Sequence, residues 1–238
     1  ICLMAIFPGS AIPSAVSDYE IDNSLRFNDA TPYAYLSLDS TGTATSEKIG
    51  TVSFWMKRSE LGAYQPIWYG GPDHSNFTTL YTHSNDSLVP YQYVTGTSIS
   101  QANDTLLRDT AAWYHVVWAL DTTQSVEASR SHIYVNNVEV AYNNGTRPDQ
   151  DELIQAFRAG ADWRIGVRDD YMEQGLGAYL AEFHYIDGQQ LLPSDFAETK
   201  TTTNQWIPIE YEGTYGNNGF YQKYGSTELA ASFTDSAT

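Results

Sequence analysis

Apolar and polar positions alternate along much of this chain, most clearly over residues 113–140. In the run Trp113–Leu120, Tyr114, Val116, Trp118 and Leu120 share one face, and Trp113, His115, Val117 and Ala119 share the other. A period of two in aromatic and β-branched residues predicts a strand. After a polar loop, Ser131–Val140 is also β-like, and Asn136-Asn137 sits where a tight hairpin turn needs positive φ. Shorter strands are predicted over 24–28 and 33–38, separated by Asp29-Ala30-Thr31-Pro32, and a stronger one over 50–58. There Val52, Phe54 and Met56 form one face, with Thr51, Ser53 and Trp55 opposite. A strand over 65–69 is expected to close at Gly70-Gly71-Pro72, a strong turn signal. Further strands are expected over 77–82, 90–95, 105–108, 163–167 and 177–186. Residues 151–158 read as a short helix with Asp149 as N-cap, and Pro193-Ser194-Asp195-Phe196 as a single helical turn.

Turn signals recur at short intervals, and no long helical period and no fixed internal repeat appears. That combination favours an all-β sandwich or jelly roll. Pro8, Gly9 and Pro13 make residues 1–20 an extended arm, and Met4 is a candidate start residue. Residues 21–203 read as the sandwich domain, and 204–238 as an extended tail. The aromatic part of that tail, 204–224, is expected to wrap over the sandwich or reach a neighbouring chain.

Composition narrows the function classes. The chain has 238 residues, 42% of them hydrophobic, enough to bury a core without covalent staples. Eighteen tyrosines and six tryptophans, with 17% charged residues, suit strands and interaction surfaces. The net charge of −17 repels phosphate backbones, which argues against nucleic acid, and welcomes a cation or a basic partner. Cys2 is the single cysteine, so neither an intramolecular disulfide nor a zinc site of several cysteines can form. No run reaches the roughly 18 apolar residues that span a bilayer, so no membrane insertion is expected. Ile1–Phe7 is apolar but stops at Pro8 and lacks a basic flank.

A set of short motifs carries a resemblance. In order these are Ser24-Leu25-Arg26-Phe27 with Ala34-Tyr35-Leu36-Ser37, Ser53–Arg58, Ala112–Val117 and Ile133–Val140. Trp163-Arg164-Ile165-Gly166, Tyr179–Gln189 and Pro193–Phe196 complete the series. Together they resemble the laminin-G-like, concanavalin A-like lectin/glucanase jelly rolls of bacteriophage fibre and virion-surface proteins. The runs Ile186-Asp187-Gly188-Gln189 and Tyr215-Gly216-Asn217-Asn218-Gly219-Phe220-Tyr221 are the phage-like pieces. The resemblance implies an antiparallel β-sandwich jelly roll with extended N- and C-terminal segments. It also implies a place on the virion surface, self-association (a trimer, as in phage fibres), other virion proteins as neighbours and host-surface glycan as partner.

Candidate chemistry is sparse. Glucanases of this fold carry Glu-x-Asp-x-x-Glu, which is absent, and no Gly-x-Ser-x-Gly occurs. Glu182 and Asp187 lie five positions apart, an odd spacing that points them to opposite faces of a regular strand, whereas Glu182 and His184 share a face. The five histidines lack metal-ligand spacing, although His115 and His132 lie on adjacent predicted strands. Asp73, Asp86, Asp169 and Asp170 are candidate calcium ligands in loops at one end of a sheet. Trp68, Tyr69, Tyr81, Tyr91, Tyr93 and Tyr171 are candidate sugar-stacking residues. Asn76, Asn85, Asn103 and Asn144 head glycosylation sequons that matter only in a eukaryotic secretory setting. Three functions follow in order: a non-enzymatic glycan adhesin with calcium as a candidate cofactor, a structural head-decoration or fibre connector, and, last, a glycan hydrolase.

Overall fold

A computed structural model of the protein describes residues 19–31, 33–39, 42–143, 145–168, 174–225 and 235–237. The proposed arm therefore lies almost wholly outside the described residues, as do Asn144 and most of 225–238.

Alternating strands each offer one apolar face, and two sheets of such strands close on each other. The first sheet runs β1 (Leu25–Phe27), β12 (Ala178–Asp187), β3 (Ile49–Arg58), β8 (Tyr114–Asp121), β9 (Ser131–Val135) and β10 (Val138–Glu139). A seventh strand, β15 (Phe220–Gln222), also pairs with β12. The second sheet runs β2 (Leu36–Asp39), β11 (Asp162–Ile165), β4 (Gln65–Asp73), β5 (Asn76–Thr82), β6 (Leu88–Val94) and β7 (Thr97–Ser100). Every pairing is antiparallel. A hairpin of β13 (Ala197–Lys200) and β14 (Gln205–Pro208) stands apart.

The predicted faces hold. Val52, Phe54, Met56, Val116, Trp118 and Leu120 all join the core between the sheets. Phe54 stacks on Phe183 with centroids 5.3 Å apart, and Trp68 meets Trp118 edge-on at 6.3 Å. Asn136 and Asn137 have φ of 49° and 66°, the turn their side chains predict. Pro193–Asp195 forms the expected single turn, a 3-10 one.

Three expectations fail for physical reasons. Gly70-Gly71-Pro72 does not end β4, which continues to Asp73. A Cβ on Gly70 would lie 2.6 Å from Ala156 Cβ, so this glycine admits the close approach of the Gln155–Phe157 turn, whose Ala156 and Phe157 join the core. Residues 151–158 form no α-helix: Asp151 has φ of 62°, and only Gln155–Phe157 makes a 3-10 turn. Residues 105–108 are not a strand but a single bridge from Leu106 to Ser87, with Leu107 N–H donating to Asp86 O (2.9 Å). The edge strand β7 has no counterpart among the predicted strands.

The aromatic tail folds back on its own chain. Trp206 and Ile21 pack against Trp55, Ala181 and Ala197, while Tyr211 and Tyr215 pack on Val117, Ile186 and Phe196. The outer face of the seven-stranded sheet is thereby largely covered.

Candidate functional site

The outer face of the six-stranded sheet carries a groove of about 440 Å³. Alternation on β5 sends Leu80 into the core and Phe77, Thr79 and Tyr81 outward. Register then gathers neighbours: Tyr91 lies opposite Thr79 and Tyr93 opposite Phe77, while Pro66 on the other side lies opposite Tyr81. Tyr64, Tyr81, Tyr91, Phe77 and Tyr93 form a continuous row, with successive centroids 6.0, 6.3, 6.0 and 5.8 Å apart. His74, Arg168 and Gln174 complete the lining, with the Arg168 guanidinium 5.2 Å above the Phe77 ring.

The polar groups of the groove divide into those used by the fold and those left for a ligand. Tyr64 OH lies 2.6 Å from His83 Nε2, and Thr79 Oγ1 donates to Trp68 O (2.8 Å). The hydroxyls of Tyr81, Tyr91 and Tyr93 make no hydrogen bond among the described residues. Burial pushes the Tyr81 phenol up to about 12, with Tyr64 and Tyr91 adding and Arg168 opposing. It stays neutral and can both donate and accept.

Of the six candidate aromatics, the fold brings Tyr81, Tyr91 and Tyr93 into this one groove. Tyr69 lies on the same outer face, opposite Thr79, but does not line the groove: it is buried against Phe77 (5.3 Å) with its hydroxyl donating to Asp73 O (3.2 Å). Trp68 is not a surface residue. A register shift between Pro66 and Trp68 leaves the indole fully buried against Trp118, Phe157 and Tyr185. Tyr171, Asp169 and Asp170 lie outside the described residues. Tyr64 and Phe77 were not candidates; the alternation through Phe77, Thr79 and Tyr81 was the available signal.

The two described candidate metal ligands do not share a loop end. Asp73 precedes β5 and Asp86 follows it, so a seven-residue strand of about 23 Å separates them. Asp73 Oδ1 is occupied by its own turn, accepting from Ser75 N (2.7 Å) and Asn76 Nδ2 (3.1 Å). Asp86 Oδ1 accepts from Arg58 Nη1 (2.9 Å) and Gly62 N (2.8 Å), and Oδ2 accepts from Arg108 Nε (3.1 Å). Burial pulls the Asp86 carboxyl up, but these donors outweigh it and hold it below the usual carboxylate range. Among the described residues no group of three or more His, Cys, Asp and Glu is assembled for a metal.

The Glu182–His184 pair does share a face, and that face is sealed. Both residues are about 5% exposed, under the hairpin and tail. Glu182 accepts from Tyr19 OH (2.6 Å) and from Tyr221 OH, and His184 Nε2 stands 3.9 Å away, beyond hydrogen-bond reach. Glu182 holds φ at 49°, a strained value for a non-glycine residue inside a bulged strand. Burial raises its carboxyl above the usual range despite the two phenol donors. His115 does not pair with His132, which lies opposite Ala119. Its Nδ1 accepts from Trp206 Nε1 (3.1 Å), so the ring proton sits on Nε2 and points at Ser53 Oγ (3.0 Å). Ser53 thus receives a hydrogen bond from this ring, the reverse of what an activated nucleophile needs.

No curated protein sequence matches the chain. Domain 4 of an extracellular arabinanase from Geobacillus stearothermophilus, solved with arabinotriose, is similar in structure at 17% identity and a TM-score of 0.52. That similarity covers 71% of this chain and 77% of that one. A heptameric SAP-like pentraxin from Limulus polyphemus is similar over 71% of this chain and 76% of that one, at 17% identity and a TM-score of 0.48. Domains LG4-5 of the mouse laminin α1 chain match 66% of this chain and 40% of that one, at 14% identity and a TM-score of 0.45. The laminin G-type family model matches residues 29–189, and with its two packed antiparallel sheets the chain belongs to the concanavalin A-like lectin/glucanases superfamily.

Proposed function

We propose that the protein is a glycan-binding module displayed on the surface of a bacteriophage particle, with the groove of the six-stranded sheet as its sugar site. The observation that carries the binding reading is the row of aromatic rings with three tyrosine hydroxyls that make no hydrogen bond among the described residues. Ring faces accept the apolar face of a sugar, and the phenols exchange hydrogen bonds with its hydroxyls. The Glu-x-Asp-x-x-Glu run of the glucanases of this fold does not occur in the sequence, which favours binding over hydrolysis. The virion setting rests on the resemblance of the 186–189 and 215–221 runs to phage surface proteins. Self-association, as a trimer, and calcium at the Asp169-Asp170 loop belong to the same proposal.

The test is binding of purified protein to host envelope polysaccharide, with calcium and again with a chelator. Saturable binding, weakened at least about tenfold in Tyr91→Ala, is the expected result, and loss on chelation would add calcium to the site. Binding that survives Tyr91→Ala and Tyr93→Ala together would remove the groove from the reading. No binding up to millimolar sugar would leave a head-decoration or connector role.

A further inference from the structure

We propose that the opposite side of the molecule carries a second binding surface, a tryptophan groove that docks a basic, apolar peptide segment of a partner protein. The groove, of about 520 Å³, lies between residues 19–24, Trp113 and the β13–β14 hairpin. Trp55, Trp113 and Trp206 line it. Trp55 and Trp206 are held by the His115 ring, at 4.8 and 6.0 Å, and Trp206 is further fixed through its Nε1 bond to that histidine. Trp206 packs against the buried Trp55, so the indole surface left to a ligand belongs to Trp113 and the part-buried Trp206. Trp113 is 38% exposed. Rigid, preformed indoles at a concave surface are the anchors that protein–protein hot spots use.

Charge selects the occupant. Tyr19 also lines an adjoining shelf of about 810 Å³, which carries Asp195, Glu198, Glu210 and Glu212 and no base. Glu20 and Asp22 add two carboxylates on the tryptophan side, against the single base Lys200. Glu198, Glu210, Glu212, Glu20 and Asp22 are exposed and make no ion pair among the described residues. A peptide laid across both regions meets indoles at one end and unpaired carboxylates at the other. Cationic side chains satisfy the carboxylates and also bind indole faces favourably. A neutral sugar would gain nothing from the shelf, and a phosphate-bearing ligand would be repelled.

The test is selection of the intact protein against a randomised peptide library of about twelve residues, followed by titration of the enriched peptides. Enrichment of Lys/Arg-rich sequences with an aromatic, leucine or proline is expected. Their affinity should fall at least about tenfold in Trp113→Ala and about threefold in Glu210→Gln/Glu212→Gln, and should weaken with salt. Tyr91→Ala should leave it unchanged, which keeps this surface separable from the sugar groove. Trp113 is a surface side chain, and an unchanged melting temperature of its variant verifies the fold. Failure to enrich any peptide, enrichment without positive charge, or full affinity in Trp113→Ala would overturn the proposal. So would a concentration-dependent dimer, or polysaccharide binding, that Trp113→Ala abolishes; these would assign the groove to a second copy or to glycan.

Discussion

Acid should unfold this protein through two histidines that cannot charge in place. His115 and His184 are both buried, and burial pulls each from 6.5 to about 3, with the neighbouring His115 adding to the effect on His184. Because their folded values lie below the unfolded ones, the unfolded chain takes up protons first as pH falls. The stability tied to their neutral forms is complete above pH 6.5 and is lost progressively between 6.5 and about 3. At pH 4.5, two units into that window, each histidine costs about 2.7 kcal/mol, and the pair about 5 kcal/mol. A typical net stability is about 5–15 kcal/mol, so the loss is a large share of it. Glu182 acts the other way: its raised carboxyl favours the folded state more as pH falls, and trims the total. Urea unfolding followed by tryptophan fluorescence at pH 7.0, 5.5 and 4.5 measures the slope. His184→Phe keeps a ring against Tyr221 (4.2 Å) and forfeits the bond to Tyr215 OH (2.9 Å). It should lose about 1 kcal/mol at pH 7 and about half of the acid slope. A flat stability profile down to pH 4.5, or either histidine titrating near its ordinary value in the folded protein, would refute the argument.

Three further outcomes follow from the geometry. Asp86→Ala strands the buried Arg58 guanidinium and should cost about 3–5 kcal/mol, read as a fall in melting temperature. Tyr81→Phe removes a hydroxyl that makes no hydrogen bond among the described residues. Stability should therefore hold while polysaccharide affinity drops about fivefold, the worth of one hydrogen bond. Gly71→Ala places a Cβ 2.3 Å from Asn76 O, a backbone atom, and should destabilise by about 1–3 kcal/mol in the same unfolding assay.

Local order was legible because it is written at short range. The alternation in 50–58 and 113–121, and the Asn136-Asn137 turn, depend on neighbours in sequence, and the structure repeats them. The turn expected at Gly70-Gly71 fails because the same glycines that punctuate turns also admit close packing, here of Ala156, more than eighty residues along the chain, on Gly70, and of the Asn76-Phe77 backbone on Gly71. Trp68 and Tyr69, as neighbours on one strand, point to opposite faces, and nothing local says which faces solvent. The groove itself is a product of register: Tyr81, Tyr91 and Tyr93 converge because β5 and β6 pair as they do. The shared face of Glu182 and His184 was readable, but whether it meets water depends on residues 197–208 returning to cover it.

The pleat of β5 and β6 has a consequence for how such a protein can change over generations. Leu80 faces the hydrophobic interior, while its neighbours Thr79 and Tyr81 face the groove. Tyr91 and Tyr93 stand half-exposed on the next strand. Replacing a half-exposed ring with another side chain alters what the surface recognises while leaving the interior volume intact. On the proposed sugar-binding role, such a lineage can shift its preference among glycans by single substitutions at Tyr81, Tyr91 and Tyr93, with little loss of foldability. The same freedom does not extend to Phe77, whose ring is almost wholly enclosed and anchors three of the neighbouring tyrosines.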